Sequence, residues 1–197
     1  FLLVRNEIRR LPFTLNHHRA LGVQRFFVVD NGSSDGTIDY LLGETDVHIH
    51  ATNGSYQDAR NGIDWLELLL HVFGRDHWCL LLDADEHLVY PECETVGLQE
   101  FCTGLEERGL NCLATVFVDV YSDGAIADTD LNPARPPIET CRFFDLRGYY
   151  YFPSHFSRVP RIYGGPRARL FWPEIDLAGY STRIASYIVR AFDQGAY

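Results

Sequence analysis

Lysine and methionine are absent from the 197 residues, and all 17 basic side chains are arginine. A globular chain this long ordinarily carries several of each, so an arginine-rich genome, or loss of modified residues from the sequence as read, is expected. Basic residues are also outnumbered. Against 27 acidic residues they leave a net charge of −10 at pH 7, which argues against nucleic acid or an anionic membrane as partner. The five cysteines are odd in number and form no C-x-x-C. That argues against a structural zinc site and a disulfide scaffold, and for a reducing compartment. No apolar run approaches the roughly 18 residues of a membrane span, so a cytoplasmic protein is expected, at most peripheral to the inner membrane face. Phe1 is not a translation start, so a short piece is expected to precede it. What is present is ordinary for a globular domain: 46% apolar, 22% charged and 14% aromatic residues, enough to build a sizeable core and to exclude disorder, collagen and coiled coil.

Along the first ninety residues, short apolar runs alternate with helical stripes. Leu2-Leu3-Val4 reads as a strand ending in Arg5-Asn6-Glu7. Pro12, Leu11, Leu15 and Leu21 suit a helix closed by Gly22. Phe26 to Val29 is a second strand, stopped by Asp30-Asn31-Gly32, and Val47 to Ile49 a third. Ala59 to Phe73 is expected to be a long helix, and Trp78 to Leu82 a fourth strand running into Asp83-Ala84-Asp85-Glu86. Strand–helix alternation with strands apolar throughout predicts βαβ units on a parallel sheet covered on both faces. Beyond Pro91 come a helix over Val96 to Arg108, a β-rich run over Leu113 to Tyr121, a loop to Pro137, and mixed strands and turns to Phe171. A mixed or antiparallel half is expected there.

Three segments carry chemistry. Asp83 and Asp85 follow a buried strand, so their carboxylates emerge at the carboxyl end of the sheet, where open α/β folds bind ligands. Clustered carboxylates need a counter-charge, which a divalent cation and diphosphate oxygens can supply. A second D-x-D, Asp128 and Asp130, lies in a Pro-rich loop and reads as solvated. Asp30 ends another strand at the same edge and can accept a hydrogen bond from a base or ribose hydroxyl. Asn53 to Gly62 places Arg60 in the first turn of a long helix, a ready anion site.

Together with Arg5-Asn6-Glu7, these segments resemble the glycosyltransferase family 2 pattern of the GT-A fold. In that pattern a strand leads to [R/K]-N-E, a second to D-[D/N]-G-S-x-D-G-T, a third to N-x-G-x-x-x-A-R-N-x-G, and an apolar fourth to D-x-D. All four elements occur here in order, the third as Asn53 to Gly62 with Ser55 at the pattern's first glycine and Gly62 directly after Asn61. The D-N-G-S form, His17-His18 ahead of Leu21-Gly22-Val23, and D-A-D-E resemble the bacterial branch of that superfamily. The resemblance implies an α/β/α sandwich in one GT-A-like domain over 1–197. Residues 1–90 would bind the nucleotide-sugar and 91–197 the acceptor. It implies a metal-dependent, inverting, hexosyltransferase-like enzyme using a nucleotide-diphospho-sugar, UDP-sugar first, with Mn²⁺ or Mg²⁺. The acceptor is a hydroxyl of a glycan, lipid or small molecule. By the same resemblance Asp30 sits at the base or ribose, Arg60 near the base and phosphates, Asp85 on the metal and Asp83 on the ribose or metal. Arg5, Asn6, Glu7 and Asn31 line the nucleotide pocket.

The second half departs from the pattern, because no E-D pair follows Asp85 to supply the base. Asp145, after Arg142-Phe143-Phe144, is the best-placed carboxylate, with Glu139 and Asp123 behind it. His155, between aromatics, is a candidate third metal ligand or a core histidine. Arg167 and Arg169, in an expected tight turn over Gly164 to Arg169, are candidate diphosphate clamps. His17-His18 and His48/His50 are read as structural or exposed. Two other enzymes fit less well. A haloacid-dehalogenase-like phosphatase needs Thr or Val where His87 stands and a later lysine, and a sugar nucleotidyltransferase needs a Gly-rich basic opening. A degenerate GT-A domain that binds without turnover is the non-enzyme alternative.

Overall fold

A computed structural model of the chain describes residues 1–113, 115–129, 132, 134–152 and 161–171. The chain divides into two compact units. The first comprises 1–109 with 132–136, the second 110–131 with 137 onward.

The first unit is a parallel α/β sheet. Strands β1 (Leu2–Val4), β2 (Phe26–Asp30), β3 (Val47–Ala51) and β4 (Leu82–Asp83) lie in the order β3-β2-β1-β4, every pair parallel. The crossovers carry helices α1 (Leu11–Leu21), α2 (Thr37–Leu42) and α3 (Ile63–Phe73), and α4 (Leu98–Glu107) follows β4. One sheet face is packed tightly. Leu2, Val4, Phe26 and Val28 meet Leu11 and Leu15 of α1 and Leu41 of α2 in the central cluster. On the other face the Phe27 ring stacks on Phe73 of α3 at 4.7 Å and on His48 at 4.8 Å. The order matters for function. Because β1 lies between β2 and β4, the segments leaving Val4, Asp30 and Asp83 emerge side by side at one edge.

Two boundaries differ from expectation. The third helix starts at Ile63 rather than Ala59, because Arg60, Asn61 and Gly62 hold φ of 50°, 58° and 79° in succession. No right-handed helix passes through three left-handed residues. Gly62 is required there: a Cβ would lie 2.1 Å from Leu3 Cδ2. The fourth strand is only Leu82–Asp83 rather than Trp78 to Leu82, since β1 pairs with just those two residues.

In the second unit β5 (Val120–Tyr121) pairs antiparallel with β6 (Phe143–Phe144), and β7 (Tyr149–Phe152) with β8 (Arg161–Gly164). A 3₁₀ turn spans Ile126–Asp128, and α5 (Pro137–Thr140) and α6 (Gly165–Phe171) complete it. The β-rich run from Leu113 yields a strand only at Val120–Tyr121; Val116, Phe117 and Val118 are exposed. β-propensity without a partner strand does not make a strand. The expected tight turn at Gly164 to Arg169 is a helix instead. Gly164 and Gly165, at φ 133° and 65°, make the turn, and Pro166 opens α6.

Candidate functional site

The loops leaving β1 and β2 are laced together. Asn6, at φ 59°, donates its backbone N–H to Ser33 Oγ at 2.8 Å, and its Oδ1 accepts from Ser34 N–H at 2.8 Å. Glu7 N–H donates to Thr37 Oγ1 at 2.9 Å, and Ile8 N–H to Asp35 at 3.2 Å. Burial works against ionisation of Asp35, but donors from Thr37 and Ile8 outweigh it and hold its pKa below the usual carboxylate range. Asn31 donates its N–H to Val4 O and its side-chain amide to the carbonyls of Thr52 and Gly54. Asn6 and Asn31 therefore act here as clips between loops. Arg5 is exposed beside them.

Asp30 is 2% exposed. Its Oδ2 accepts from the N–H groups of Gly32 and Ser33, both at 3.0 Å. Its Oδ1 is buried with no hydrogen-bond partner. A buried carboxylate oxygen costs free energy unless a donor reaches it; Oδ2 shapes the loop, and Oδ1 has no donor among the described residues.

At the end of β4, Asp83 and Asp85 are exposed. Burial of its carboxyl, and then repulsion from Asp85, raise the pKa of Asp83. Glu86 turns back, its Oε2 accepting from Asp83 N–H at 2.9 Å, so it fixes the turn. Arg10, overlooked in the sequence, supplies positive charge. Its Nε lies 2.8 Å from Glu7 Oε2, its Nη2 3.2 Å from Glu7 Oε1, and its Nη1 3.3 Å from Asp85 Oδ2. Burial nevertheless raises the pKa of Glu7, against the pull of Arg10.

Helix α1 grips this turn. Thr14 Oγ1 donates to Ala84 O, His17 Nε2 donates to Leu88 O at 2.8 Å, and His18 Nε2 accepts from Leu88 N–H at 3.2 Å. His18 Nδ1–H donates to Thr14 O at 2.7 Å, so its ring is the neutral Nδ1–H tautomer with both nitrogens satisfied. Burial lowers its pKa to about 4. His87 stacks on His17 at 4.8 Å, and burial lowers its pKa as well. A signal for these residues was present. Arg10, Thr14, His17 and His18 fall at i, i+4, i+7 and i+8, one face of a helix. The structural reading of His17-His18 agrees with this arrangement.

Arg60 is elsewhere. It precedes α3 rather than standing in its first turn, and its guanidinium is held by Asp64 at 2.6 Å and Glu67 at 2.5 Å. In this arrangement it is an exposed ion pair. In the second unit, Asp145 accepts from Tyr121 Oη at 2.7 Å and from both Nε and Nη2 of Arg169. Arg167 is paired with Asp119 at 2.8 Å. Neither arginine is an unengaged clamp, and both oxygens of Asp145 have donors. Asp123 faces Arg142 at 3.8 Å. His155 and Asp130 lie outside the described residues.

Among the described residues no group of three or more His, Cys, Asp or Glu could hold a metal by itself. Asp83 and Asp85 fit a cation completed by substrate: Mg²⁺ and Mn²⁺ are commonly held by one or two carboxylates, water and phosphate oxygens. None of the five cysteines is paired, and among the described residues no helix is long and apolar enough to cross a membrane. No protein-family model, no curated protein and no solved structure matches the chain.

Proposed function

We propose that the chain is a GT-A-like, metal-dependent inverting glycosyltransferase that takes a sugar from a nucleotide-diphospho-sugar, UDP-sugar first, to an acceptor hydroxyl. The observation that carries the reading is Asp30. A buried carboxylate oxygen without a partner among the described residues stands at the end of β2, and two strands over, past β1, the carboxylates of Asp83 and Asp85 leave β4. That pairing suits a nucleoside diphosphate: ribose or base would supply a donor for Asp30, and the two aspartates would supply the carboxylates that a cation partnering the diphosphate needs. Asp83 and Asp85 would hold the cation, which when bound supplies Lewis-acid stabilisation of the leaving diphosphate.

The chain's own residues do the rest. Asp30 Oδ1 accepts from the nucleoside, and the Asn6, Asn31 and Asp35 clips hold its loop rigid. Asp145, the candidate base, already accepts from Tyr121 and twice from Arg169, so it would take the acceptor proton on the remaining lone pair of Oδ2. That engagement favours a second reading, a domain that binds the nucleotide without turnover. Donor hydrolysis and transfer, assayed with a panel of UDP-, dTDP- and GDP-sugars in Mn²⁺ and then in EDTA, separates the two. Cation-dependent release of nucleoside diphosphate supports the transferase; cation-dependent binding without release supports the binding domain.

A further inference from the structure

We propose that Arg10 is the resident counter-charge of the carboxylate turn. It holds Asp85 in the cation-free chain and, once Asp85 is engaged by a divalent cation, keeps its ion pair with Glu7 and offers Nη1 to the donor diphosphate. This inference rests on the nucleotide-sugar reading above.

The two sides of Arg10 are unequal. Toward Glu7, a half-buried carboxylate, it makes one hydrogen bond, Nη2 to Oε1 at 3.2 Å, and a close ion-pair contact, Nε to Oε2 at 2.8 Å. Toward Asp85 it makes one longer contact, at 3.3 Å, with a side chain 57% exposed. The closer ion-pair contact and the lower exposure of Glu7, 20% against 57%, strengthen that side, so the contact that yields is Asp85.

Glu7 is a fixed anchor. Its N–H is held by Thr37, and its carbonyl accepts the N–H groups of Arg10 and Leu11 at 3.0 and 2.9 Å. The helix that begins beside Arg10 is fastened to Ala84 and Leu88 through Thr14, His17 and His18. Arg10 and Asp85 thus sit on elements tied to each other, and the guanidinium is the part free to move. Without this cation, Asp83 and Asp85 would repel across an unscreened turn. With a divalent cation in place, Nη1 has lost its partner and is a donor of the kind that phosphate oxygens accept.

The test is calorimetric, on the whole chain, with MnCl₂ alone and with UDP at saturating Mn²⁺, comparing the parent with Arg10→Gln and Arg10→Lys. Removing the competitor should tighten Mn²⁺ binding about two- to fivefold in Arg10→Gln, the scale of an exposed ion pair. UDP binding at saturating Mn²⁺ should weaken about tenfold or more through the lost charged hydrogen bond. Arg10→Lys, which keeps the charge and loses the planar set of donors, should fall between on UDP and near the parent on Mn²⁺. It decides the question if the Gln variant does not fold. Unchanged or weaker Mn²⁺ binding in a folded Arg10→Gln overturns the counter-charge, and unchanged UDP binding overturns the diphosphate contact. If the parent binds no Mn²⁺, alone or with UDP, the counter-charge proposal falls; if it binds Mn²⁺ but no nucleotide, the transferase reading and the diphosphate contact fall together, while the Mn²⁺ comparison still judges the counter-charge.

Discussion

The backbone N–H of Leu88 donates to Nε2 of His18, 70 residues away, and this bond fastens α1 to the turn that carries Asp83 and Asp85. The ring must be neutral to accept it. Its pKa is about 4 in the fold, against 6.5 unperturbed, so between those values the unfolded chain binds more protons than the folded one. Stability is then full above pH 6.5 and is lost as pH falls toward 4, by about 3 kcal/mol in all. His87, lowered by burial, acts in the same direction. Glu7 and Asp83, both raised by burial, oppose it above their ordinary carboxylate values. Urea unfolding from pH 7 to 4 should show this loss, and His18→Gln should be less stable at pH 7 and flatter across the range. An unchanged pH slope in the variant would mean that His18 does not set it.

Gly62→Ala should destabilise the first unit by on the order of 2–4 kcal/mol. It places a β-carbon against Leu3, which sits in the sheet, and forces a left-handed backbone on alanine. Gly104→Ala, inside α4 with open space around it, should be neutral or slightly stabilising. Thermal unfolding of the two variants checks the contrast; equal midpoints would contradict the packing described.

Asp30→Ala should weaken UDP binding about tenfold or more, the cost of losing a hydrogen bond to a buried charged acceptor, while leaving cation dependence intact. Arg60→Ala should leave UDP affinity unchanged, because that guanidinium is engaged by Asp64 and Glu67. Calorimetry on both variants tests the two statements. A loss in Arg60→Ala as large as in Asp30→Ala would restore Arg60 to the nucleotide site.

Asp145→Asn should lower kcat by about 10²–10⁴-fold if its carboxylate removes the acceptor proton, with little change in donor KM. Tyr121→Phe, which removes one of its donors, should spare most of kcat. If Asp145→Asn turns over at the parental rate, its part is to tie β5, β6 and α6 together.

The strand ends were legible because Leu2 to Val4 and Phe26 to Asp30 are short apolar runs cut off by polar residues, and a parallel sheet leaves that signature. Arg60 was misplaced because helical periodicity runs through Ala59 to Phe73, whereas three left-handed residues break the backbone beneath it. The run at Val116 to Val118 has strand propensity, but Phe117 is 70% exposed; pairing, which sequence alone does not display, decides such segments. Arg10 escaped notice because its contact with Asp85 joins positions 75 apart. Only its helical spacing with Thr14, His17 and His18 pointed to a shared face.

The most direct test of the account is the affinity of the whole chain for UDP, by titration calorimetry in saturating Mn²⁺ and in EDTA, in the parent and in Asp85→Asn. The account predicts binding in Mn²⁺ that weakens at least about tenfold in EDTA, and an Asp85→Asn protein, as stable as the parent, whose affinity no longer responds to the cation. Equal affinity with and without the cation, or no binding of UDP, dTDP or GDP in either condition, would contradict it.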